Sequence, residues 1–294
     1  MAISARDVKA LREKTGAGMM NCKTALSECD GDLEAAVDYL RKKGLAAAQK
    51  KQSRVAAEGV IVNAGSGNKA VLLEVNCETD FVSKGDDFQG FSKGIADYIL
   101  ANGLADIAAL KAAKTEEINE LTLKCGEKID IRRFVVAETN GVLGTYNHGG
   151  KIGVLVDLKT TAEGTGINEL AKDLAMHVAA ADPKFLSGDD IDEAYKNREA
   201  AIYTAQLKEE GKPEQMIPKI VEGKLNKLAK DVCLLEQVFV KNSDLTIKKL
   251  LAETAKTLGT DIAISSFHKL NLGAGIEKKE DNLADEVAKM TKGQ

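Results

Sequence analysis

The chain has 294 residues, of which 44% are hydrophobic, 29% charged and only 4% aromatic, with no tryptophan. This composition excludes wholesale disorder, and the length suggests about two domains whose cores are built from Ala, Val, Ile and Leu. With 41 Lys and Arg against 45 Asp and Glu, the net charge of −4 excludes a chain-wide basic surface for nucleic acid, although it allows a local patch.

Neither a disulfide framework nor a metal site is expected. The five cysteines are scattered without a C-x-x-C spacing, and the three histidines lie far apart in the sequence. The first residues contain no apolar run of the secretion-signal type, and no stretch approaches the roughly 18 apolar residues that span a bilayer. We therefore expect a soluble, cytoplasmic protein without a cofactor, in which most of the five cysteines are buried, inert thiols.

The first 54 residues are predicted to form a three-helix module. Ser4, three residues before Asp7, is typical of a capping box at the start of the first helix. Apolar residues then recur at helical spacing, Gly16 ends the first helix, and Gly44 follows the third. The module carries eleven Lys and Arg against seven Asp and Glu, so its charge is +4 and that of the remaining chain is −8. Such a charge suits nucleic acid, an acidic protein surface or simply a solvated helix face.

Two methionines, Met19 and Met20, stand side by side at the start of the second predicted helix. Because at most one of two adjacent side chains can face the core fully, we expect at least one thioether at the surface. There it would suit a contact with another protein. A single exposed methionine is also common and requires no function.

An internal repeat organises residues 55 to about 185. Residues 59–75 have the pattern of strand, turn and strand, and residues 141–157 repeat it 82 positions later. A helix follows each hairpin, at 88–100 in the first half and at 167–180 in the second. One further strand, at 129–137, lies between the two halves. The predicted fold is therefore α+β, with a core of two similar subdomains that each consist of a hairpin backed by a helix.

The two halves of the repeat differ just after the second strand. The first half carries Thr79-Asp80-Phe81-Val82, whereas the second has no aromatic residue at the corresponding place. Apolar residues beside a strand end usually pack under their own loop. The alternative is that Phe81 inserts into a partner protein, with Asp80 as its polar neighbour.

Residues 187–231 are predicted to form a protruding arm of two antiparallel helices joined by a turn at Gly211. Ser187 or Asp189 would cap the first helix, and Pro218 would either start the second helix or bend it. The apolar residues assigned to the contact face of the first helix are Ile191, Ala194, Tyr195, Ile202 and Ala205. Those assigned to the second are Ile217, Val221, Leu225, Leu228 and Val232. The last predicted elements are a strand at 238–240, a helix at 246–258, a strand region at 261–272 and a short helix at 283–290.

Signatures of the common catalytic sites are missing from the sequence. It contains no P-loop, no H-E-x-x-H and no G-x-S-x-G. A G-x-G-x-x-A match at residues 65–70 leads into a strand, so it is interpreted as a hairpin turn and not as a dinucleotide site. His177 lies on an apolar helix face and is expected to be a core histidine. An enzyme is therefore disfavoured.

Two long motifs resemble the signatures of the translation elongation factor Ts family. Residues 11–23, LREKTGAGMMNCK, are similar to the N-terminal signature of this family, and residues 74–82, EVNCETDFV, are similar to its second signature. The doubled core, the arm and the terminal helix also match, so the resemblance covers essentially the whole chain. The sequence departs from the family pattern at Asn21, where Asp is common, and at Pro218.

The resemblance implies a guanine-nucleotide exchange factor for elongation factor Tu, acting in translation elongation without covalent chemistry. It implies no membrane contact and no direct binding of nucleotide or nucleic acid. The residues it assigns to partner binding are Lys9, Arg12, Met19, Met20, Lys23 and His148. Those it assigns to dislocation of the partner's Mg²⁺ are Thr79, Asp80, Phe81 and Val82. Dimerisation of the complex through the arm is left open.

The predicted organisation has five parts. They are a docking module at 1–54, core subdomain N at 55–140, core subdomain C at 141–186 and 232–273, the arm at 187–231, and a C-terminal helical module at 274–294. Two rival functions remain at this point. One is an RNA-binding module that uses the +4 segment, and the other is a scaffold in which the arm dimerises and Phe81 belongs to the core.

Overall fold

The computed structural model describes residues 3–277, which divide into two units. Within this range, the first unit comprises residues 3–62, 73–134 and 271–277, and the second comprises residues 63–72 and 135–270. The helix predicted at 283–290 lies outside the described residues. The five-part organisation inferred from the sequence stays a prediction.

Eleven α-helices and eight strands occur in the described residues, which confirms the predicted α+β class. The strands form two three-stranded sheets, with the orders β1-β2-β3 and β4-β5-β8, and a small pair, β6-β7. The strands are β1 (Glu58–Ser66), β2 (Lys69–Cys77), β3 (Asp130–Glu138), β4 (Val142–His148), β5 (Ile152–Thr160), β6 (Val238–Phe239), β7 (Asn242–Thr246) and β8 (Ile262–Asn271).

Three helices open the first unit, as predicted: α1 (Ala5–Thr15), α2 (Met19–Glu28) and α3 (Leu33–Lys51). The capping box is present, because the Ser4 hydroxyl accepts a hydrogen bond from the Asp7 N–H while the Asp7 carboxylate accepts from Ser4. Asp32 caps α3. The helices share an apolar cluster of Val8, Leu11, Ala17, Cys22, Ala25, Leu26, Ala36 and Leu40.

The third helix does not end at Gly44 but continues through it to Lys51. The reason is α7 (Thr115–Cys125), a helix that was not predicted from the sequence. It follows the short α6 (Ile107–Ala113) and packs on α3. A Cβ at Gly44 would lie 3.2 Å from the carbonyl oxygen of Asn119, so the missing side chain lets α3 and α7 approach closely. Leu123 of α7 also packs against the N-terminal cluster.

The first predicted hairpin and its helix are confirmed. Strands β1 and β2 are followed by a one-turn helix, α4 (Asp80–Ser83), and by the long α5 (Asp86–Asn102), which buries Phe88, Ile95 and Ile99. The middle strand, β2, is buried at every position except its first, as expected of a strand with a neighbour on each side.

Glu74 is a fully buried carboxylate on β2. Its Oε1 accepts hydrogen bonds from Arg132 at 2.9 Å and from the Gly273 N–H at 2.8 Å, and its Oε2 accepts from Arg133 at 2.6 Å. Burial acts to raise the pKa of this carboxyl, but the bonds from Gly273, Arg132 and Arg133 together hold it below its usual value. This cluster fixes the backbone around Gly273 to the sheet of the first unit.

The second unit repeats the hairpin and helix, with β4 and β5 antiparallel and Gly144 opposite Val156. Its helices outside the arm are α8 (Thr165–Ala181) and α11 (Ile247–Leu258), both within two residues of their predicted bounds. Its core contains Val154, Val156, Leu158, Ile167, Leu174, Val178, Phe239, Ile247 and Leu251, among others.

His177 is a satisfied core histidine, as predicted. It is fully buried on α8, its Nδ1 accepts a hydrogen bond from the Val240 N–H at 3.3 Å, and its Nε2 lies 3.0 Å from Oε1 of Gln237. Because Nδ1 accepts, the proton of the neutral ring belongs on Nε2, which donates to Gln237. Burial lowers the pKa of His177, although the bond to Gln237 opposes this effect.

The arm consists of α9 (Glu193–Glu209) and α10 (Ile217–Val232). Ser187 caps only a 3₁₀ turn at Gly188–Asp190, and Asp192 caps α9, so neither predicted cap was right. Pro218 lies in the first turn of α10, where proline is tolerated because no backbone donor is needed, and it marks the start of that helix.

The predicted contact face of α9 was wrong at three positions. Ala194, Ile202 and Ala205 are exposed. The helix instead packs through Ala200, Tyr203 and Leu207. These residues meet Ile217 and Val221 of α10, as expected for that helix. The arm therefore has an apolar cluster of its own.

Backbone hydrogen bonds join the two ends of the arm. The N–H groups of Lys184 and Phe185 donate to the Val232 carbonyl, at 2.8 and 3.1 Å, and the Leu234 N–H donates to the Phe185 carbonyl at 2.9 Å. The chain therefore enters and leaves the arm through neighbouring backbone segments.

Candidate functional site

Phe81 is the most exposed large apolar side chain in the described part of the chain, with 86% of its surface accessible. Met20 and Met19 follow, at 71% and 60%. The interpretation that Phe81 packs under its own loop is therefore wrong, and both methionines, not only one, lie at the surface. Neighbouring exposed apolar side chains, such as this pair of methionines, form the kind of surface that binds another protein.

Phe81 belongs to a capped helical turn and not to an irregular loop. It is the second residue of α4, and the hydroxyl of Thr79 accepts the N-cap hydrogen bond from the Val82 N–H at 3.4 Å. The Asp80 carboxylate accepts from the Lys84 ammonium at 2.6 Å, and the Ser83 hydroxyl donates to the Asp80 carbonyl at 2.9 Å. The turn thus has local order of its own.

Glu127, between α7 and β3, holds the base of this turn. One carboxylate oxygen accepts the N–H groups of Glu78 and Thr79, at 3.1 and 3.0 Å, and the other accepts the Thr79 hydroxyl at 2.6 Å. Sequence reasoning missed this residue because it lies 48 positions after Thr79. No periodicity or motif links the two segments.

A second set of bonds ties the same base to the C-terminal end of α3. Glu78 pairs with Arg54 at 3.2 Å and accepts the Lys128 N–H at 2.7 Å. The Lys128 ammonium donates to the carbonyls of Gln52 and Arg54, at 2.8 and 3.0 Å. The segment after α7 therefore contacts both α3 and the Phe81 turn.

Cys77 lies at the end of β2, next to this base. Its thiol is 3.1 Å from the Thr79 carbonyl, and burial, together with the charge of Glu127, raises its pKa to about 12. Cys77 is therefore a protonated thiol at neutral pH. Together with buried Cys22 and Cys233, it fits the expected inert cysteines, whereas Cys29 and Cys125 are only half-buried.

The turn between α1 and α2 places the two methionines. Gly16 ends α1 with φ of 66°, a conformation that favours glycine. The Thr15 hydroxyl donates to the Leu11 carbonyl at 2.7 Å, and Ala17 is buried. Helix α2 then begins with both thioethers in solvent. The predicted basic residues Lys9, Arg12 and Lys23 are exposed as well.

The predicted site residues fall into both units. All but one belong to the first unit, which contains the α1–α2 surface and the Phe81 turn. His148 belongs to the second unit, where it is exposed at the end of β4 and its Nδ1 lies 3.0 Å from the Tyr146 hydroxyl.

Within residues 3–277, no cluster of His, Cys, Asp or Glu side chains is arranged to hold a metal ion. None of the helices in that range is both long enough and apolar enough to cross a membrane. The features that stand out on this part of the chain are therefore its exposed apolar side chains.

Comparisons with known proteins agree on one family. A family model described as "Elongation factor TS" matches residues 78–274. The chain is 48% identical to Elongation factor Ts of Clostridioides difficile (strain 630), with 99% of both chains covered, and 49% identical to that of Clostridium novyi (strain NT), with 97% of both covered. It is 47% identical to that of Trichlorobacter lovleyi, with 98% of both covered. These alignments extend over the N-terminal residues that the family model leaves out.

Proposed function

Since this chain belongs to the elongation factor Ts family, we propose that it acts as a guanine-nucleotide exchange factor for elongation factor Tu. In this role it binds the GDP-bound partner in the cytoplasm during translation elongation and promotes replacement of GDP by GTP. The observation that carries the proposal is the 86% exposure of Phe81. This side chain lies on a capped turn whose base is hydrogen-bonded to Glu127.

The α1–α2 surface supplies the docking contact. Met19 and Met20 present adaptable thioethers, and the +4 charge of the first 54 residues suits a partner surface of opposite sign. Arg12, Lys9 and Lys23 add charge around the methionines. We assign this surface to the nucleotide-binding domain of the partner and His148 to a different domain.

The Phe81 turn supplies the step that releases nucleotide. Bound GDP is held largely by phosphate contacts and by the Mg²⁺ that screens its charge. An aromatic ring that enters between partner helices beside this ion, with Asp80 next to it, disturbs both sets of contacts. Each 1.4 kcal/mol by which the nucleotide-bound complex is selectively destabilised speeds release about tenfold, provided that the transition state for release escapes the effect.

This mechanism requires no covalent step, so the protein is a catalyst of exchange and not an enzyme in the usual sense. It also requires no nucleotide site and no cofactor on this chain. The arm has no part in nucleotide release in this proposal, and we assign to it an association between copies of the complex.

The proposal is tested by Phe81→Ala in a stopped-flow assay of GDP release from elongation factor Tu. We expect release at saturating factor to slow by roughly tenfold or more, since buried aromatic anchors dominate many interfaces. Asp80→Ala should slow it less. The melting temperature should barely change, because the ring makes few contacts in the free protein and lacks the ~3–5 kcal/mol of a core phenylalanine.

The matched control is Ile202→Ala, which removes another exposed apolar side chain, from α9, and should leave release unchanged. A large loss of stability with normal release in Phe81→Ala would instead support a scaffold in which Phe81 stabilises the fold. Strongly salt-dependent binding to mixed RNA, without any effect on GDP release, would favour the RNA-binding alternative.

A further inference from the structure

We infer that Glu127 is a positioning residue for nucleotide release, because it fixes the turn that carries Phe81. This inference rests on the proposed function of the turn and adds to it a residue that contacts neither the partner nor the nucleotide in that scheme.

Helix α4 has only four residues, and a helix of one turn is not stable without outside support. Phe81 cannot provide that support, since 86% of its surface lies in solvent. The order of the turn must therefore come from its other residues and from the neighbours that they contact. Of these, Ser83 is buried and Thr79 is half-buried.

Thr79 connects Glu127 to the turn. Its hydroxyl donates to Glu127 at 2.6 Å, which directs an oxygen lone pair toward the Val82 N–H that it caps. The second carboxylate oxygen of Glu127 accepts two consecutive backbone N–H groups, at 3.1 and 3.0 Å. These bonds to an ionised acceptor are of the stronger, charge-assisted kind. One side chain thus fixes both the backbone before α4 and its cap.

Glu127 is itself held in place by its sequence neighbours. The Lys51 ammonium of α3 donates to the Gly126 carbonyl. On the other side, the Lys128 ammonium donates to the carbonyls of Gln52 and Arg54. The segment from Gly126 to Lys128 is therefore fastened to the end of α3, the helix that packs with α1 and α2. Glu127 sets the turn on the same framework as the docking surface.

A turn that is already ordered loses little conformational entropy when it binds the partner. A small displacement of the group that acts on the partner strongly reduces the rate. We therefore expect Glu127→Ala to slow GDP release at saturating factor by about tenfold. Glu127→Gln should stay within about twofold of wild type. Its amide oxygen can accept both backbone N–H groups, and its amide N–H can donate to the Thr79 hydroxyl.

Two further variants complete the design. Thr79→Val keeps the branched shape of the side chain but loses the hydroxyl that connects Glu127 to the turn. It should therefore slow GDP release as much as Glu127→Ala does. It replaces Glu127→Ala in the test if that variant does not fold. Glu117→Ala removes a glutamate of α7 that pairs with Lys114 at 2.8 Å on the surface, and it should release GDP at the wild-type rate.

The deciding measurement is a double-mutant cycle with Phe81→Ala, combined with amide hydrogen exchange of residues 79–84. If Glu127 acts through Phe81, Glu127→Ala slows release little further once Phe81 is alanine, and it raises amide exchange at Val82 in the free protein. Equal slowing in both backgrounds, or a wild-type release rate and unchanged exchange at Val82, would overturn the inference. A Phe81→Ala protein with normal release would instead overturn the proposed function of the turn, while the amide exchange would still report whether Glu127 fixes it.

Discussion

Phe81 shows why a stable protein can leave an aromatic side chain exposed to solvent. Transfer of a phenylalanine side chain out of water is worth about 1.5–3 kcal/mol, and the free protein gains almost none of it. That free energy is available to a complex instead. It is used efficiently only if the backbone beneath the ring is already ordered, which is the role we assign to Thr79 and Glu127.

His177 gives a prediction about pH. Burial lowers its pKa in the folded protein, whereas in the unfolded chain the value is about 6.5. Below that pH the unfolded chain binds a proton that the folded chain rejects, so the folded state loses stability as pH falls from about 7 toward the lowered pKa. We expect the free energy of unfolding, from urea titrations at pH 7.5 and 5.5, to drop more in wild type than in His177→Gln.

The comparison between the two proteins isolates His177 from the buried carboxylate Glu74 and from His268, whose pKa burial also lowers. His177→Gln can lose stability by the same amount at both pH values without affecting the conclusion. An identical pH dependence in the two proteins would show that the imidazole stays neutral in both states or charges in both.

The turn between α1 and α2 leads to a prediction about the affinity for the partner. The double variant Met19→Ser, Met20→Ser removes two large apolar contacts that the free protein does not use, since both side chains are mostly exposed. We expect the factor concentration for half-maximal GDP release to rise roughly tenfold, with the maximal rate nearly unchanged. The concentration dependence of release measures both quantities.

Met216→Ser is the matched control, because Met216 is 55% exposed just before α10 and lies outside the docking surface. Its concentration dependence should equal that of wild type. A reduced maximal rate in the Met19, Met20 variant, without a change in half-saturation, would move these residues from docking to nucleotide release. Substitutions are preferable to deletion of residues 1–54, which would strip α7 of its packing partner α3.

Elements with a long, one-sided apolar pattern could be predicted from the sequence, and α5 and α8 begin and end within two residues of expectation. Helices α6 and α7 were not predicted, and they bury only Leu110, Leu121 and Thr122. The contact face of α9 was predicted wrongly because this helix carries apolar residues on two faces. Which face is buried depends on the position of α10, which packs against the face that contains Leu207. Gly44 was interpreted as the end of a helix because its role depends on Asn119, which is distant in the sequence.

The candidate site divides in the same way. The sequence singled out Met19, Met20 and Phe81 by residue type and by comparison of the two halves of the repeat. It could not decide their exposure, because an apolar residue beside a strand end fits a core as well as a surface. Glu127 was out of reach, since hydrogen bonds between a loop and a turn 48 positions apart leave no periodic trace.

The arm as a whole should be dispensable for nucleotide exchange. Its helices pack through a cluster around Leu207, Ile217 and Val221 that is separate from the core of the second unit. We expect a variant in which a short glycine linker replaces residues 190–229 to keep its melting temperature within a few degrees and to stimulate GDP release at close to the wild-type rate. Thermal unfolding and the stopped-flow release assay measure these outcomes.

Loss of release in an arm-deleted protein that still folds would show that the working surface includes the arm. Sedimentation of the complex formed with this variant would reveal a role in association. A complex of lower mass than the wild-type complex is expected if the arm joins two copies. The same number of copies in the wild-type and variant complexes would show that the arm has no role in their association.

The bonds between the backbone of Lys184 and Phe185 and that of Val232 and Leu234 have a consequence for how this chain can change. The chain leaves the second unit and re-enters it at adjacent positions. The length of the arm between these positions therefore does not affect the geometry of the flanking strands and helices. Each doubling of a flexible connection costs only about 0.6 kcal/mol. Lineages could therefore lengthen, shorten or replace this hairpin freely, and an engineer could graft a reporter domain there.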